Sequence, residues 1–118
     1  MAKILLVDDD EDIRELVILR LEIAGHEIDF SVNGQSGFDM AMENKYDLVL
    51  MDMHMPVMDG HDAIKQLRRF GYSGKIVGLT ASAMVNETNK AMDSGCDDVI
   101  VKPITEEFEN QIDNYINN

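Results

Sequence analysis

Residues 47–60 constrain this chain more than any other stretch. They read Asp47-Leu-Val-Leu-Met-Asp52-Met-His-Met-Pro56-Val-Met-Asp-Gly60. An apolar run stops on one carboxylate, and a loop holding proline and glycine follows. A run of that length between turn signals predicts a strand buried on both faces, as in a parallel sheet. Asp52 then stands at the carboxyl end of a central strand, where open α/β sheets hold their ligands.

The flanking sequence repeats the same rhythm. Lys3-Ile-Leu-Leu-Val7 predicts a first buried strand, ending on Asp8-Asp9-Asp10-Glu11-Asp12. A helix follows, with Ile13, Leu16, Val17, Leu21 and Ala24 at three- and four-residue steps and Gly25 as its stop. Glu27 to Ser31 predicts a second strand, Asn33-Gly34 a turn, and Gly37 to Glu43 a short helix with Phe38, Ala41 and Met42 inward. After the Asp52 strand, a helix places Ala63, Ile64, Leu67 and Phe70 on one face. Lys75 to Leu79 predicts a fourth strand ending on Thr80. Ser82 is the expected cap of a poorly propensitied helix running to Ser94. Asp98 to Val101 predicts a fifth strand ending on Lys102-Pro103. Thr105 is the expected cap of a last helix, with Phe108, Ile112, Tyr115 and Ile116 inward. Five strand–helix units in succession predict a doubly wound parallel sheet, and 118 residues predict one domain, 1–118.

Charge and composition narrow the partners. Twenty-three acidic against ten basic residues leave a net charge of -13, which repels nucleic acid and anionic membranes. No apolar run reaches membrane-spanning length, and no signal-peptide pattern precedes the first strand. Cys96 is the only cysteine, which excludes an internal disulfide and suits a reducing cytoplasm.

The residues just past each strand form a chemical set. The first strand gives Asp8 and Asp9, the third Asp52, the fourth Thr80 and the fifth Lys102. In the flavodoxin-like strand order 2-1-3-4-5, the crevice lies between strands 1 and 3, where the three carboxylates meet. At about 4 Å and an effective dielectric of 20, each pair of carboxylates repels by roughly 4 kcal/mol. Such a group must take up protons, bind a cation or lean on Lys102. Oxygen-only ligands suit a hard divalent ion, and Mg2+ is the expected one. Between that ion and Lys102 there is room for a phosphoryl group, and a carboxylate there can act as nucleophile to give an aspartyl phosphate.

At these residues the chain resembles the response-regulator receiver domains of two-component signalling. The matching pieces are Leu6-Val7-Asp8-Asp9, Met51-Asp52 through Pro56-Val-Met-Asp-Gly60, Leu79-Thr80-Ala81 and Val101-Lys102-Pro103, in the family's order and at its spacing. The Asp52 and Thr80 motifs are similar to those of receivers joined to hybrid histidine kinases. The resemblance implies that Asp52 accepts phosphate from a phosphohistidine on a histidine kinase or a histidine phosphotransfer protein. It implies that Asp9, Asp52 and the His54 backbone carbonyl ligate Mg2+ directly, with Asp8 acting mainly through bound water. Thr80 and Lys102 would contact the phosphoryl oxygens, and Lys102-Pro103 would be a cis peptide. It also implies no turnover of external substrate, no direct contact with nucleic acid or membrane, and a monomer or weak dimer. No effector domain is expected after the last helix.

Two other chemistries share pieces of this pattern. Asp8-x-Asp10-x-Asp12 opens like an EF-hand loop, but Ile13 stands where that loop wants glycine. A haloacid-dehalogenase-type phosphatase would use Asp8 and Asp10, with Asp97-Asp98 as a late acidic pair, but it leaves Asp52 without a role. An interaction module with a dead site would lack some of the five residues, and all are present. His26 and His61 read as surface histidines, whereas His54 flanks Asp52. Met51, Met53, Met55 and Met58 read as flexible packing, and Cys96 as ordinary packing. Many receivers carry Tyr, Phe or His three residues before the lysine, and here that position is Val99. Phosphorylation is therefore expected to reorder mostly the loop from Thr80 to Met84 and the weak helix after it, with little change at the outer face near Val99 and Tyr115.

Overall fold

The computed structural model describes residues 1–117; Asn118, the last residue of the expected 1–118 unit, lies outside them. Five strands, β1 (Lys3–Val7), β2 (Glu27–Ser31), β3 (Leu48–Asp52), β4 (Ile76–Thr80) and β5 (Asp98–Val101), alternate with five helices. These are α1 (Glu11–Ile23), α2 (Gly34–Glu43), α3 (Gly60–Arg69), α4 (Val85–Ser94) and α5 (Phe108–Asn117). The strands form one parallel sheet in the order β2-β1-β3-β4-β5. This is the expected flavodoxin-like (βα)5 topology.

Side-chain alternation builds two cores from the same strands. Ile4, Leu6, Leu48 and Leu50 face α1 and α5, where they meet Val17, Leu21, Phe108 and Ile112. Leu5, Val7, Val49 and Met51 point the other way, to Ala41 of α2, Ile64 and Leu67 of α3 and Ala91 of α4. β3 is buried at every position, as its unbroken apolar run requires. Both cores press on the strands whose carboxyl ends carry Asp8 and Asp52, so those carboxylates extend from buried strands.

The helix ends depart from expectation at several points. Asn33-Gly34 is not a separate turn: the Asn33 side chain accepts from the Ser36 amide and caps α2, which starts at Gly34. α4 starts at Val85 after Met84, which offers no capping side chain, while the Ser82 hydroxyl accepts from the Met84 amide instead. Ahead of α5, the Thr105 hydroxyl accepts from the Glu107 amide and its carbonyl from the Phe108 amide. Leu16, Ala24, Met42 and Phe70 are exposed rather than inward. The buried line of α1 runs through Val17 and Leu21, which leaves Leu16 off the face. Phe70 caps the end of α3 and meets Phe38 edge-on.

The loop after β3 is folded tightly against its neighbours. A Cβ on Gly60 would stand 2.2 Å from the Asp52 carbonyl oxygen, and one on Gly34 would stand 2.3 Å from the Met58 carbonyl oxygen. Only glycine lets these backbones approach so closely. Inside the loop, the Met58 amide donates to the Pro56 carbonyl at 2.9 Å across Val57, whose φ is +73°. This is the γ-turn of positive φ, a rare and strained form, and a β-branched residue occupies its centre. Val57 is 93% exposed, so its side chain recovers none of that strain by packing. Val57→Gly removes roughly 1–3 kcal/mol of backbone strain against about 0.5–1 kcal/mol of added chain entropy. The expected result is a rise of about 1 kcal/mol in unfolding free energy by urea titration; a fall would show that the valine is held there by contacts within the fold.

Candidate functional site

The carboxyl ends of β1 and β3 bring Asp8, Asp9 and Asp52 together. One carboxylate oxygen from each lies within 4.8 Å of the other two. Asp8 and Asp52 are buried and Asp9 is exposed, so the cluster opens to solvent on the Asp9 side. Asp8 is held by its strand end: its Oδ1 accepts from the Asp10 amide at 2.9 Å and its backbone amide donates to Ser31. Asp52 accepts the His54 amide at 3.2 Å. Lys102, just past β5, reaches across with its Nζ 3.1 Å from Asp8 Oδ2 and 3.5 Å from Asp52 Oδ1. The Lys102–Pro103 peptide is cis, as expected. Thr80 is buried at the end of β4, and its hydroxyl is turned into its own loop, where it accepts from the Ser82 amide at 3.2 Å.

Two opposed fields act on Asp52. Burial and the neighbouring Asp8 charge push its carboxyl up from the ordinary value to about 6, against the Lys102 ammonium and the His54 amide, which favour the anion. The group is therefore poised: ionised above neutrality, but at a cost. Such a cluster has an electrostatic deficit of one cation, and its donors are all hard oxygens.

The response regulator receiver domain model matches residues 4–112. The chain belongs to that family. Over 103 residues it is 39% identical to the transcriptional regulatory protein SrrA of Staphylococcus aureus, covering 87% of this chain and 42% of that protein. Over 108 residues it is 36% identical to the hybrid signal transduction histidine kinase F of Dictyostelium discoideum, covering 86% and 10%. The chain spans less than half the length of these curated relatives. Its fold matches the receiver domain of sensor histidine kinase PA1611 from Pseudomonas aeruginosa with a TM-score of 0.91. That match is 27% identical, covers 99% of this chain and 98% of that one, and the matched structure holds a magnesium ion in its active-site cleft.

In this receiver the phosphatase alternative has no support. Asp10 caps α1 by accepting from Ile13. Asp97 and Asp98 sit at the amino end of β5, the opposite end of a parallel sheet from Asp8. There Asp97 holds the Ile76 amide and Arg68, and Asp98 holds the Tyr115 hydroxyl. Asp10 is a cap and Asp12 lies within α1, so neither joins Asp8 as an EF-hand loop would require.

The histidines correct the sequence reading. His26 is not a surface residue: its ring is largely covered, its Nδ1 accepts from the Ala2 amide, and its Nε2 lies 3.3 Å from Asp113. His61 is buried in the first turn of α3, with Nδ1 at 3.0 Å from Ser94 Oγ of α4, and burial lowers its pKa. Ser94 donates its one proton to the Lys90 carbonyl, so His61 must donate through Nδ1, which leaves its buried Nε2 without a partner. No sequence signal marks this pair, because α3 and α4 meet only in the fold. His54 stands exposed at the mouth of the cluster, its ring 6.2 Å from that of His61 and its Nε2 3.9 Å from Glu87. The four methionines pack into or against the α2–α3–α4 core, and Cys96 is buried there, donating to the Ala91 carbonyl. Val99 is half-buried against the same core, while Tyr115 is tied to Asp98 at 2.8 Å.

Proposed function

We propose that this receiver, as one unit over 1–118, takes a phosphoryl group from a phosphohistidine onto Asp52 and signals it or relays it onward. The donor is a histidine kinase or a histidine phosphotransfer protein, in a cytoplasmic phosphorelay. The observation that carries this reading is the convergence of three carboxylates and the Lys102 ammonium at the carboxyl ends of β1, β3 and β5. The donor's P–N bond breaks as an O–P bond to Asp52 forms, and the released imidazole takes up a proton. Asp52 is the nucleophile because it ends the central strand and faces Lys102. Lys102 neutralises charge on the transferring group, and Thr80 donates to one phosphoryl oxygen.

The oxygen donors suit Mg2+, held by Asp9, Asp52 and the His54 carbonyl, with Asp8 reaching it through water. When bound, that ion supplies positive charge beside the phosphoryl oxygens. The receiver needs no turnover of external substrate for this role.

Thr80 also sets the expected response. Its hydroxyl is engaged with Ser82, so it must leave that loop to meet a phosphoryl oxygen. With Mg2+ and beryllofluoride as the phosphoryl mimic, amide chemical shifts should change most at Thr80 to Met84 and in the uncapped start of α4. Shifts along Asp98 to Val101 should be small, because Val99 has no ring to swing and a β-branched side chain has little torsional freedom. Asp9→Asn should abolish the response at the same Mg2+ concentration. Equal responses in the two proteins would remove Asp9 from the ligand set, and large shifts at Asp98 to Val101 would refute the loop-centred response.

A further inference from the structure

Residues 60–75 invert the charge of the chain. They carry Lys65, Arg68, Arg69 and Lys75 against Asp62 alone, a net +3 within a chain of net -13. Arg68 is spent internally, on the carbonyls of Gly95, Tyr72 and Gly74 and on Asp97. Lys65 and Arg69 are exposed, one helical turn apart, and among the described residues neither forms an ion pair.

These two cations line a groove of about 260 Å³ between α3 and the loop after β3, together with Val57, Met58, Asp62 and Gln66. The groove is smaller than the roughly 300–1,000 Å³ of a drug-sized ligand site, so it takes a side chain rather than a whole small molecule. One wall is the strained Val57, which the fold presents to solvent with nothing packed on it. The packed loop backbone holds Val57 in this conformation and keeps its side chain on the surface, beside the two cations.

We propose that this groove docks a short acidic peptide segment of a partner, carrying one apolar side chain. The apolar side chain seats against Val57 and Met58, and the flanking carboxylates meet Lys65 and Arg69. Asp62, at the amino-terminal end of the groove, repels acid there and so sets the direction of the segment. A long polyanion is disfavoured because the rest of the chain repels it beyond the reach of two cations. The groove is walled by the loop that follows Asp52, so an occupant would contact Met58, whose backbone Gly34 packs against.

The test uses fluorescence anisotropy of the whole chain at low salt with a labelled peptide, Gly-Glu-Asp-Leu-Glu-Asp-Gly. Lys65→Glu/Arg69→Glu should weaken binding by about tenfold, from two reversed exposed charges. Lys45→Glu/Lys90→Glu, with the same change in net charge at two other exposed lysines, should change it less than twofold. Serine in place of the peptide's leucine should also weaken binding, and amide shifts of the wild-type chain should map to Val57 through Arg69. No binding at millimolar peptide would overturn the proposal, as would equal losses in the two double variants. Equal competition by a ten-nucleotide oligothymidine would also overturn it, by showing an anion site without peptide selectivity.

Discussion

Asp52→Asn raises the unfolding free energy of the metal-free receiver by about 1–3 kcal/mol at pH 7.5. The cause is the carboxylate's own position. Burial and Asp8 push its pKa up to about 6, from an ordinary value of 3.8. A folded-state pKa above the unfolded one means that the native state binds more protons between those two values. Stability therefore falls as pH rises from about 4 to above 6, and the penalty is fully present beyond that range. The asparagine variant lacks this penalty, so its advantage should be largest at pH 7–8 and should vanish near pH 4. Urea midpoints across that range check both sign and window. An advantage that persists at pH 4 would assign the gain to packing or hydrogen bonding instead of charge.

Lys102→Met has the opposite sign and a comparable size. Its ammonium is mostly buried and stands within 3.5 Å of both Asp8 and Asp52. Removing one partner of a buried ionic cluster leaves uncompensated charge, with a typical cost of about 3–5 kcal/mol. At pH 7.5 the variant should lose about 3 kcal/mol of unfolding free energy. The deficit should shrink as pH falls, because a proton on Asp52 does part of the work of the lost cation. In the Asp52→Asn background the same substitution should cost less, since only Asp8 is then left unpaired. Additive effects of the two substitutions would mean that Lys102 and Asp52 do not interact across their 3.5 Å separation.

Much of this architecture is readable from the chain because its signals are local and agree with one another. The apolar runs of β1, β3 and β4 lead directly to Asp8, Asp52 and Thr80. The topological rule for parallel sheets then brings Asp8, Asp9 and Asp52 together without knowledge of a single long-range contact. What the chain hides is of two kinds. Helix starts depend on which backbone amide a side chain meets, so Asn33 passes for a turn residue and Ser82 for a cap. Burial between helices depends on packing at long sequence separation. His61 and Ser94 lie 33 residues apart and become partners only when α3 and α4 share one face of the sheet. His26 is similar: its ring is covered because the chain's first residues and α5 close over it. The two glycines of close approach, Gly34 and Gly60, are equally silent, since a turn glycine and a packing glycine look alike in sequence.

The role of Asp52 is tested most directly by intact mass. The receiver is incubated with a small acyl phosphate such as acetyl phosphate and Mg2+, with and without later hydroxylamine. The wild-type chain should gain one phosphoryl group that hydroxylamine removes, and Asp52→Asn should gain none. If Asp52→Asn acquires the same hydroxylamine-labile phosphate at the same rate, the phosphoacceptor is another carboxylate and the account given for Asp52 is wrong.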